Sequence, residues 1–282
     1  MTLKLMKVSA STTISETTAR PVGSPPADFV QQATITDATH ASFAPVLAAT
    51  AARPCVVAQL GQTLDSKIAT TTGESRYING SLALDHLHRL RAHVQAVVVG
   101  VGTAIADDPL LNVRRVNGPS PARVVIDPNG RLPVEARCLR DDGVPRLVIG
   151  RARRPLPDGV EQVLLPAEDG KLDPRAILAA LLARGWFRIL VEGGARTVSQ
   201  FIDAGCIDRL HLLVAPVIMG SGRSGLELVP ITSLRQALRP VTVVYPFADG
   251  DVLFDCDLRT QHESRAADGN ATGNLSRLRP AR

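Results

Sequence analysis

Val99 to Arg114 reads VGVGTAIADDPLLNVR. An apolar run stops at Gly100-Val-Gly-Thr103. Two acids follow at Asp107 and Asp108, then Pro109, and an arginine stands three residues beyond Leu111. Paired carboxylates just past a buried strand suit proton relay at a ligand crevice. Pro109 fixes its own φ and biases Asp108 toward an extended backbone, which would aim the pair. A second stretch, ILVEGGARTVSQF from Ile189 to Phe201, runs an apolar strand into Glu192-Gly193-Gly194 and then into a helical pattern. Backbone N–H groups at such a helix start hold phosphate, and glycine lets the ligand approach closely. The plainer alternative is a tight strand-to-helix turn. Glu192, an acid at the carboxyl end of a buried strand, points toward the crevice on either reading.

Arg91, Arg114 and Ser75 form a third set. Two guanidiniums and a hydroxyl would receive a phosphate monoester, because arginine presents forked donors to phosphate oxygens. The competing reading is solvated surface charge. Other patterns carry less chemistry. GSGRSG, from Gly220 to Gly225, matches G-x-G-x-x-G but follows a late strand and opens no βαβ unit, so a mobile loop is expected there. His86 and His88 are two apart and cannot share a helical face, and Cys55, Cys138, Cys206 and Cys256 show no C-x-x-C pair, so no metal site is expected. The cysteines read as isolated buried thiols in a reducing compartment.

These residues need elements to position them. Val- and Ile-rich runs recur at 55–60, 95–101, 122–127, 146–150, 161–165, 187–192, 209–218, 241–245 and 252–256. Continuous rather than alternating apolarity suits strands covered on both faces. Helices fit at SLALDHLHRLRAH with Ser81 as N-cap, at DPRAILAALLARG with Asp173 as cap and Gly185 as terminator, and at ARTVSQFIDAG. The alternation gives an α/β fold with a mostly parallel central sheet, and the late run of strands gives an antiparallel edge.

Residues 1–53 and 259–282 are polar and poor in periodic apolar pattern, so they are expected to be disordered flanks around a folded unit at 54–258. Of the formal charge of +5, the flanks carry +4, and aromatic residues are only 3% of the chain. A near-neutral folded unit without stacking platforms excludes nucleic acid as a partner. No apolar run reaches membrane-spanning length and the N-terminus lacks a signal-peptide core, so a cytoplasmic protein with no membrane partner is expected.

Taken in order, LGQTLDSKIAT (60–70), GESRYING (73–80), LHRLRA (87–92), the Val99–Arg114 stretch, VVIDPNGRLP (124–133), LVEGGARTV (190–198) and DRLHLLVAPVIMGSG (208–222) resemble the pyrimidine reductase family of riboflavin biosynthesis. That family is the reductase half of the bifunctional deaminase-reductase. The resemblance implies a single dihydrofolate-reductase-like domain that binds NADPH and a phosphorylated pyrimidine. It implies NADPH contacts at Gly61, Tyr77, Thr103, Asp107 and from Gly194 through Ala195, Arg196, Thr197 and Val198. It implies substrate contacts at Ser75, Arg91, Leu111, Arg114 and Glu192. The implied reaction moves a hydride to the ribose C1′ of 5-amino-6-(5-phosphoribosylamino)uracil and yields a ribitylamino product, with Asp107, Asp108 and Glu192 as candidate acids. Glu192 and Asp108 are taken as the catalytic pair. A homodimer is expected, through the exposed edge of the strand in RLHLLVAPVI.

The sequence also departs from that family. Gln59 stands where it has a lysine, Gly61 replaces an alanine, Ser66 replaces the glycine after Asp65, and Tyr77 replaces a tryptophan. The H-x-E and P-C-x-x-C signature of the zinc deaminase half is absent from this sequence, so deamination is not expected. Two other readings stay open: a reductase of a different pyrimidine or pterin-like compound, and a non-catalytic nucleotide-binding protein of the same fold.

Overall fold

The computed structural model describes residues 30–32 and 41–259. Its centre is a ten-stranded sheet in the order β1-β13-β14-β11-β2-β10-β4-β5-β6-β7. The strands that carry the cleft are β2 (Cys55–Thr63), β4 (Ala96–Gly100), β5 (Ala122–Ile126), β10 (Arg188–Glu192) and β11 (Arg209–Ala215). Beyond them lie β6 (Arg146–Gly150) and β7 (Val160–Leu164) on one side, with β13 (Val241–Pro246), β14 (Val252–Asp257) and β1 (Val30–Gln32) on the other. From β11 to β7 every neighbour is parallel. The expected apolar continuity follows: all five residues of β4 are buried, because both faces are covered.

The helices α2 (Ser81–His93), α3 (Val101–Asp107), α4 (Pro174–Leu182) and α5 (Ala195–Asp203) complete the layers. Val56, Ala58 and Val191 pack with Ile177, Leu181, Val198 and Phe201 on one face. Val57, Val97 and Leu190 pack with Leu90 and Leu111 on the other. Each fully buried side chain of this kind contributes roughly 1.5–3 kcal/mol of transfer free energy, which fixes the alternate residues of each strand to opposite faces.

Several expectations change. Residues 41–53 are not a disordered flank: α1 (Ala44–Leu47) is helical, and Phe43 and Val46 are 2% and 0% exposed in the α2-side core. A four-residue helix gives too few apolar periods to read from sequence. The rest of the expected flanks, apart from β1 and Arg259, lies outside the described residues. The edge strand predicted for dimerisation is interior, since β11 is parallel to β2 on one side and antiparallel to β14 on the other. The outer edge is β1, which pairs parallel with β13. GSGRSG is not a free loop either: β12 (Gly222–Ser224) pairs antiparallel with β3 (Lys67–Thr70).

Ser81 is the first helical residue of α2, not its cap. Gly80 holds the cap position, and Asp249, on the turn between β13 and β14, accepts from Leu82 N at 2.9 Å. Asp251 on the same turn accepts from Gly80 N at 2.7 Å. A residue distant in sequence thus supplies the acceptor that orphan N–H groups need. In α4 the reading holds, with Asp173 accepting from Arg175 N at 2.9 Å.

Candidate active site

A cleft of about 1030 Å³ opens over the carboxyl ends of β2, β10, β4 and β5. Two strand-to-helix turns form its floor, and both read Gly-x-x-Thr. Gly100 precedes α3 and Thr103 lies in its first turn, while Gly194 precedes α5 and Thr197 lies in its first turn. A Cβ at Gly194 would land on the Thr103 hydroxyl, and a Cβ at Gly100 would land on the Thr197 hydroxyl. Each threonine therefore occupies the space that glycine leaves at the start of the other helix. Gly193 and Gly194 also hold φ of 56° and 62°, the left-handed region that glycine enters freely. No side chain caps either helix. Two uncapped helix starts lie side by side at the cleft, an arrangement suited to a pyrophosphate. A side chain at either glycine would displace the other turn's threonine, so glycine keeps the two helix starts and both hydroxyls together at the cleft, a donor set that fits the diphosphate of a dinucleotide.

A row of polar residues crosses the sheet in register. Glu192 pairs with Gln59, Gln59 with His211, and His211 with Asp255. Residues in register share a face, here the face covered by α2. Arg91 of α2 grips Glu192 with Nε and Nη2 at 2.6 Å each and donates Nη1 to the Asn112 carbonyl at 3.0 Å. His86 of α2 meets His211 at 3.1 Å, and His211 lies 3.3 Å from Asp255. These contacts pin α2 to the sheet at two points. Gln59 lies between them, is 8% exposed and lines the cleft, and its side chain has no hydrogen-bond partner among the described residues.

The structure brings together Gly61, Ser75, Tyr77, Thr103, Asp107, Asp108, Arg114, Gly194, Arg196 and Thr197 as cleft wall. It sets others apart. Arg91 and Glu192, expected on substrate, are 5% and 6% exposed and are spent on each other. Leu111 is 1% exposed in the α2-side core. Val198 faces the opposite core, and Ala195 opens α5 beside the cleft without forming its wall. Tyr77 is 88% exposed at φ 68°, so the wall holds it by backbone rather than by packing of its ring.

Asp108 corrects the aimed-acid expectation. Its φ is 38°, not extended, because it ends α3 as a left-handed C-cap, and its Oδ1 accepts from Arg137 N at 2.8 Å. The small polar Asp tolerates this conformation, and proline after it disfavours only the right-handed helical alternative. Asp107 is freer: among the described residues its carboxylate accepts only from the Ser75 hydroxyl, at 3.5 Å.

Arg114 donates Nη1 to Asn112 Oδ1 at 2.9 Å, and its backbone N–H donates to His88 Nδ1 at 3.2 Å. The pKa of its guanidinium is lowered by burial first, then by repulsion from Arg91, Arg137 and Arg115. Positive charge accumulated in a cleft favours an anion. His88 is pushed down to about 4, by burial and then by Arg91, Arg114 and Arg115, so it is neutral and free to accept from Arg114.

Sequence reasoning missed Arg137, Arg131, Asn79 and Lys171, all of which line the cleft. Residues in loops and in elements of two or three residues have no periodicity to betray them. Only their following of strand ends, as in VVIDPNGRLP, is a usable signal.

Comparison with known proteins accords with this geometry. Residues 54–244 match the family described as the RibD C-terminal domain. The riboflavin biosynthesis protein RibD of Aquifex aeolicus is 35% identical over 193 residues, covering 66% of this chain and 53% of that protein. A 2,5-diamino-6-ribosylamino-4(3H)-pyrimidinone 5′-phosphate reductase of Methanothermobacter thermautotrophicus is 36% identical over 185 residues, covering 63% of this chain and 84% of that protein. Among solved structures, Acinetobacter baumannii RibD superposes with a TM-score of 0.63 at 30% identity, covering 72% of this chain and 58% of that one. The chain spans about half the length of the Aquifex and Acinetobacter proteins and most of the Methanothermobacter one. By the match over residues 54–244, the chain belongs to the RibD C-terminal domain family.

Proposed function

We propose that this chain is an NADPH-dependent reductase of riboflavin biosynthesis acting on 5-amino-6-(5-phosphoribosylamino)uracil. The observation that carries the reading is the paired Gly-x-x-Thr cradle lying in one cleft with the arginine cluster around Arg114. A dinucleotide and a phosphate monoester then have adjoining sites, and a cleft of about 1030 Å³ is large enough for both. The names of the relatives, as riboflavin biosynthesis proteins and as a ribosylaminopyrimidinone phosphate reductase, support the same class.

When bound, the nicotinamide supplies the hydride. The chain's own residues do the rest. Thr103, Thr197 and the N–H groups after Gly100 and Gly194 hold the pyrophosphate. Arg114, with Arg137 beside it, holds the ribose phosphate. In the ring-opened imine of the substrate, C1′ receives the hydride and the attached nitrogen receives a proton, leaving the ribitylamino product. Asp107, close to Ser75 and with no other side-chain partner among the described residues, delivers that proton, while Asp108 and Glu192 act as positioning residues through Arg137 N–H and Arg91. Holding the two ligands in contact makes the transfer effectively unimolecular, which lowers the barrier without further chemistry from the protein. The reading carries with it a cytoplasmic setting and a homodimer.

A second reading has its own support. The archaeal reductases are named for the 2,5-diamino-pyrimidinone, and this chain covers 84% and 83% of two of them. Offering purified protein both pyrimidine phosphates with NADPH separates the two. A kcat/KM at least ten-fold higher for the uracil supports the first reading, the reverse supports the second, and oxidation of NADPH with neither overturns both.

A further inference from the structure

Two buried arginines lie side by side at the amino ends of the strands, opposite the cleft. Arg123 is the second residue of β5 and Arg146 the first of β6, and the two are register partners of adjacent parallel strands. Their side chains therefore emerge on the same face. They are 1% and 6% exposed. Like charges opposite one another in a sheet repel, and burial removes the water that would screen them. Acidic partners alone do not offset this cost. Arg123 pairs with Asp142 and Arg146 with Asp141 at 3.1 Å, but those acids are 41% and 73% exposed, where an ion pair contributes little.

What the two guanidiniums share is one stretch of backbone. Arg123 Nη1 donates to the carbonyls of Cys138 at 3.2 Å and Arg140 at 3.3 Å, and Arg146 Nη1 donates to that of Leu139 at 3.0 Å. Three consecutive carbonyls, from the 3₁₀ turn Arg137–Leu139 and the residue after it, are thus fixed from two strands. Cys138 and Leu139 are buried in the α2-side core. The turn begins with Arg137, whose own N–H donates to Asp108 at 2.8 Å. Its guanidinium goes to the cleft, stands close enough to Arg114 to repel it, and makes no hydrogen bond or ion pair among the described residues. The backbone is tied down on both sides of Arg137 and only its side chain is left free. A cation held in this way orders fewer bonds when an anion arrives, and it cannot drift from Arg114 to relieve the repulsion.

We infer that Arg123 and Arg146 are positioning residues for the substrate: they grip residues 138–140 so that Arg137 stands beside Arg114 at the substrate phosphate. Neither residue lines the cleft. The inference rests on the phosphate site proposed above. Arg123→Lys keeps the charge and loses the fork that spans two carbonyls and an acid. Phosphorus NMR titration of the full chain with ribose 5-phosphate and calorimetric titration with NADP⁺ read the effect without turnover. Arg123→Lys should weaken ribose 5-phosphate at least five-fold and leave NADP⁺ within two-fold. In turnover it should raise the KM for the phosphorylated pyrimidine and leave kcat within two-fold. Arg137→Met should weaken ribose 5-phosphate at least as much, and adding Arg123→Lys to it should cost less than a further two-fold. Arg146→Lys, which disturbs one carbonyl, should repeat the pattern more weakly and carries the same test if Arg123→Lys does not fold. An unchanged ribose 5-phosphate affinity, an equal loss for both ligands, or an Arg123→Lys effect undiminished beside Arg137→Met would overturn the inference. Binding of ribose 5-phosphate without reduction of either pyrimidine would overturn the substrate reading alone. Failure of the wild-type protein to bind ribose 5-phosphate would overturn both.

Discussion

Arg91→Ala offers a test in which the structure predicts a large effect from a residue outside the cleft wall. The substitution removes two charge-assisted bonds of 2.6 Å to Glu192 and one of 3.0 Å to the Asn112 carbonyl. It leaves a carboxylate that is 6% exposed without its cation. Breaking a buried pair from one side costs about 3–5 kcal/mol, far more than the net worth of the pair, because the remaining charge stays desolvated. In a domain of about 200 residues that lowers Tm by roughly 6–20 °C. Glu192→Gln in the same background removes the orphaned charge and should recover more than half of the loss. Urea unfolding of the two single variants and the double variant closes the cycle. Because Glu192 immediately precedes Gly193, nucleotide affinity should fall with Arg91→Ala as well. A destabilisation below about 1 kcal/mol, the range of exposed pairs, or strict additivity in the cycle, would refute the claim that the pair is buried and mutually dependent.

Other outcomes follow from the same geometry. Gly194→Ala puts a Cβ onto the Thr103 hydroxyl at a φ of 62° and should weaken NADP⁺ binding at least ten-fold in a fluorescence titration; wild-type affinity would remove the cradle. Arg114→Ala should raise the KM for the phosphorylated substrate and leave nucleotide affinity within two-fold, and an equal loss of both would count against its place beside the substrate phosphate. His88 is held near 4, by burial first and by neighbouring arginines next, and His86 is held well below its ordinary value by burial first and by His211 next. The unfolded chain binds protons near 6.5 that the native one refuses, so this stability is complete above that pH and declines as pH falls toward 4. Tm should drop over that interval and His88→Asn should flatten the slope, whereas a flat wild-type profile would contradict the assignment. Burial raises the thiols of Cys55 and Cys206 to about 12 and that of Cys138 to about 11, so a disulfide reagent should leave them unmodified until denaturant is added.

The parallel sheet was legible because strands covered on both faces must be largely apolar, as β4 is throughout, and because Asp173-Pro174 and Gly185 punctuate α4 by local chemistry alone. The Gly193-Gly194 turn was legible as a strand-to-helix turn, but that Gly100 and Thr103 meet it across the cleft floor was not, because that approach joins segments far apart in sequence. What sequence could not reveal depended on distant partners. Arg91 and Glu192 lie 101 positions apart, and each alone resembles a ligand contact; only the fold shows that they satisfy each other. The cap of α2 comes from Asp249, 167 positions away from Leu82. Ser66 is a different case: it holds φ 62° where the resembling family has glycine, so the departure from that family was visible in sequence but its tolerated left-handed backbone was not.

The central claim is hydride delivery to C1′ of a ribosylaminopyrimidine phosphate, and the most direct test is the fate of a label. Purified protein is given NADPH carrying deuterium at the transferable C4 position together with 5-amino-6-(5-phosphoribosylamino)uracil, and the product is read by mass spectrometry and NMR. Deuterium at C1′ of a ribitylamino product is the predicted result. NADPH consumed with no label in the pyrimidine product, or with the label at another ribityl carbon, would contradict it.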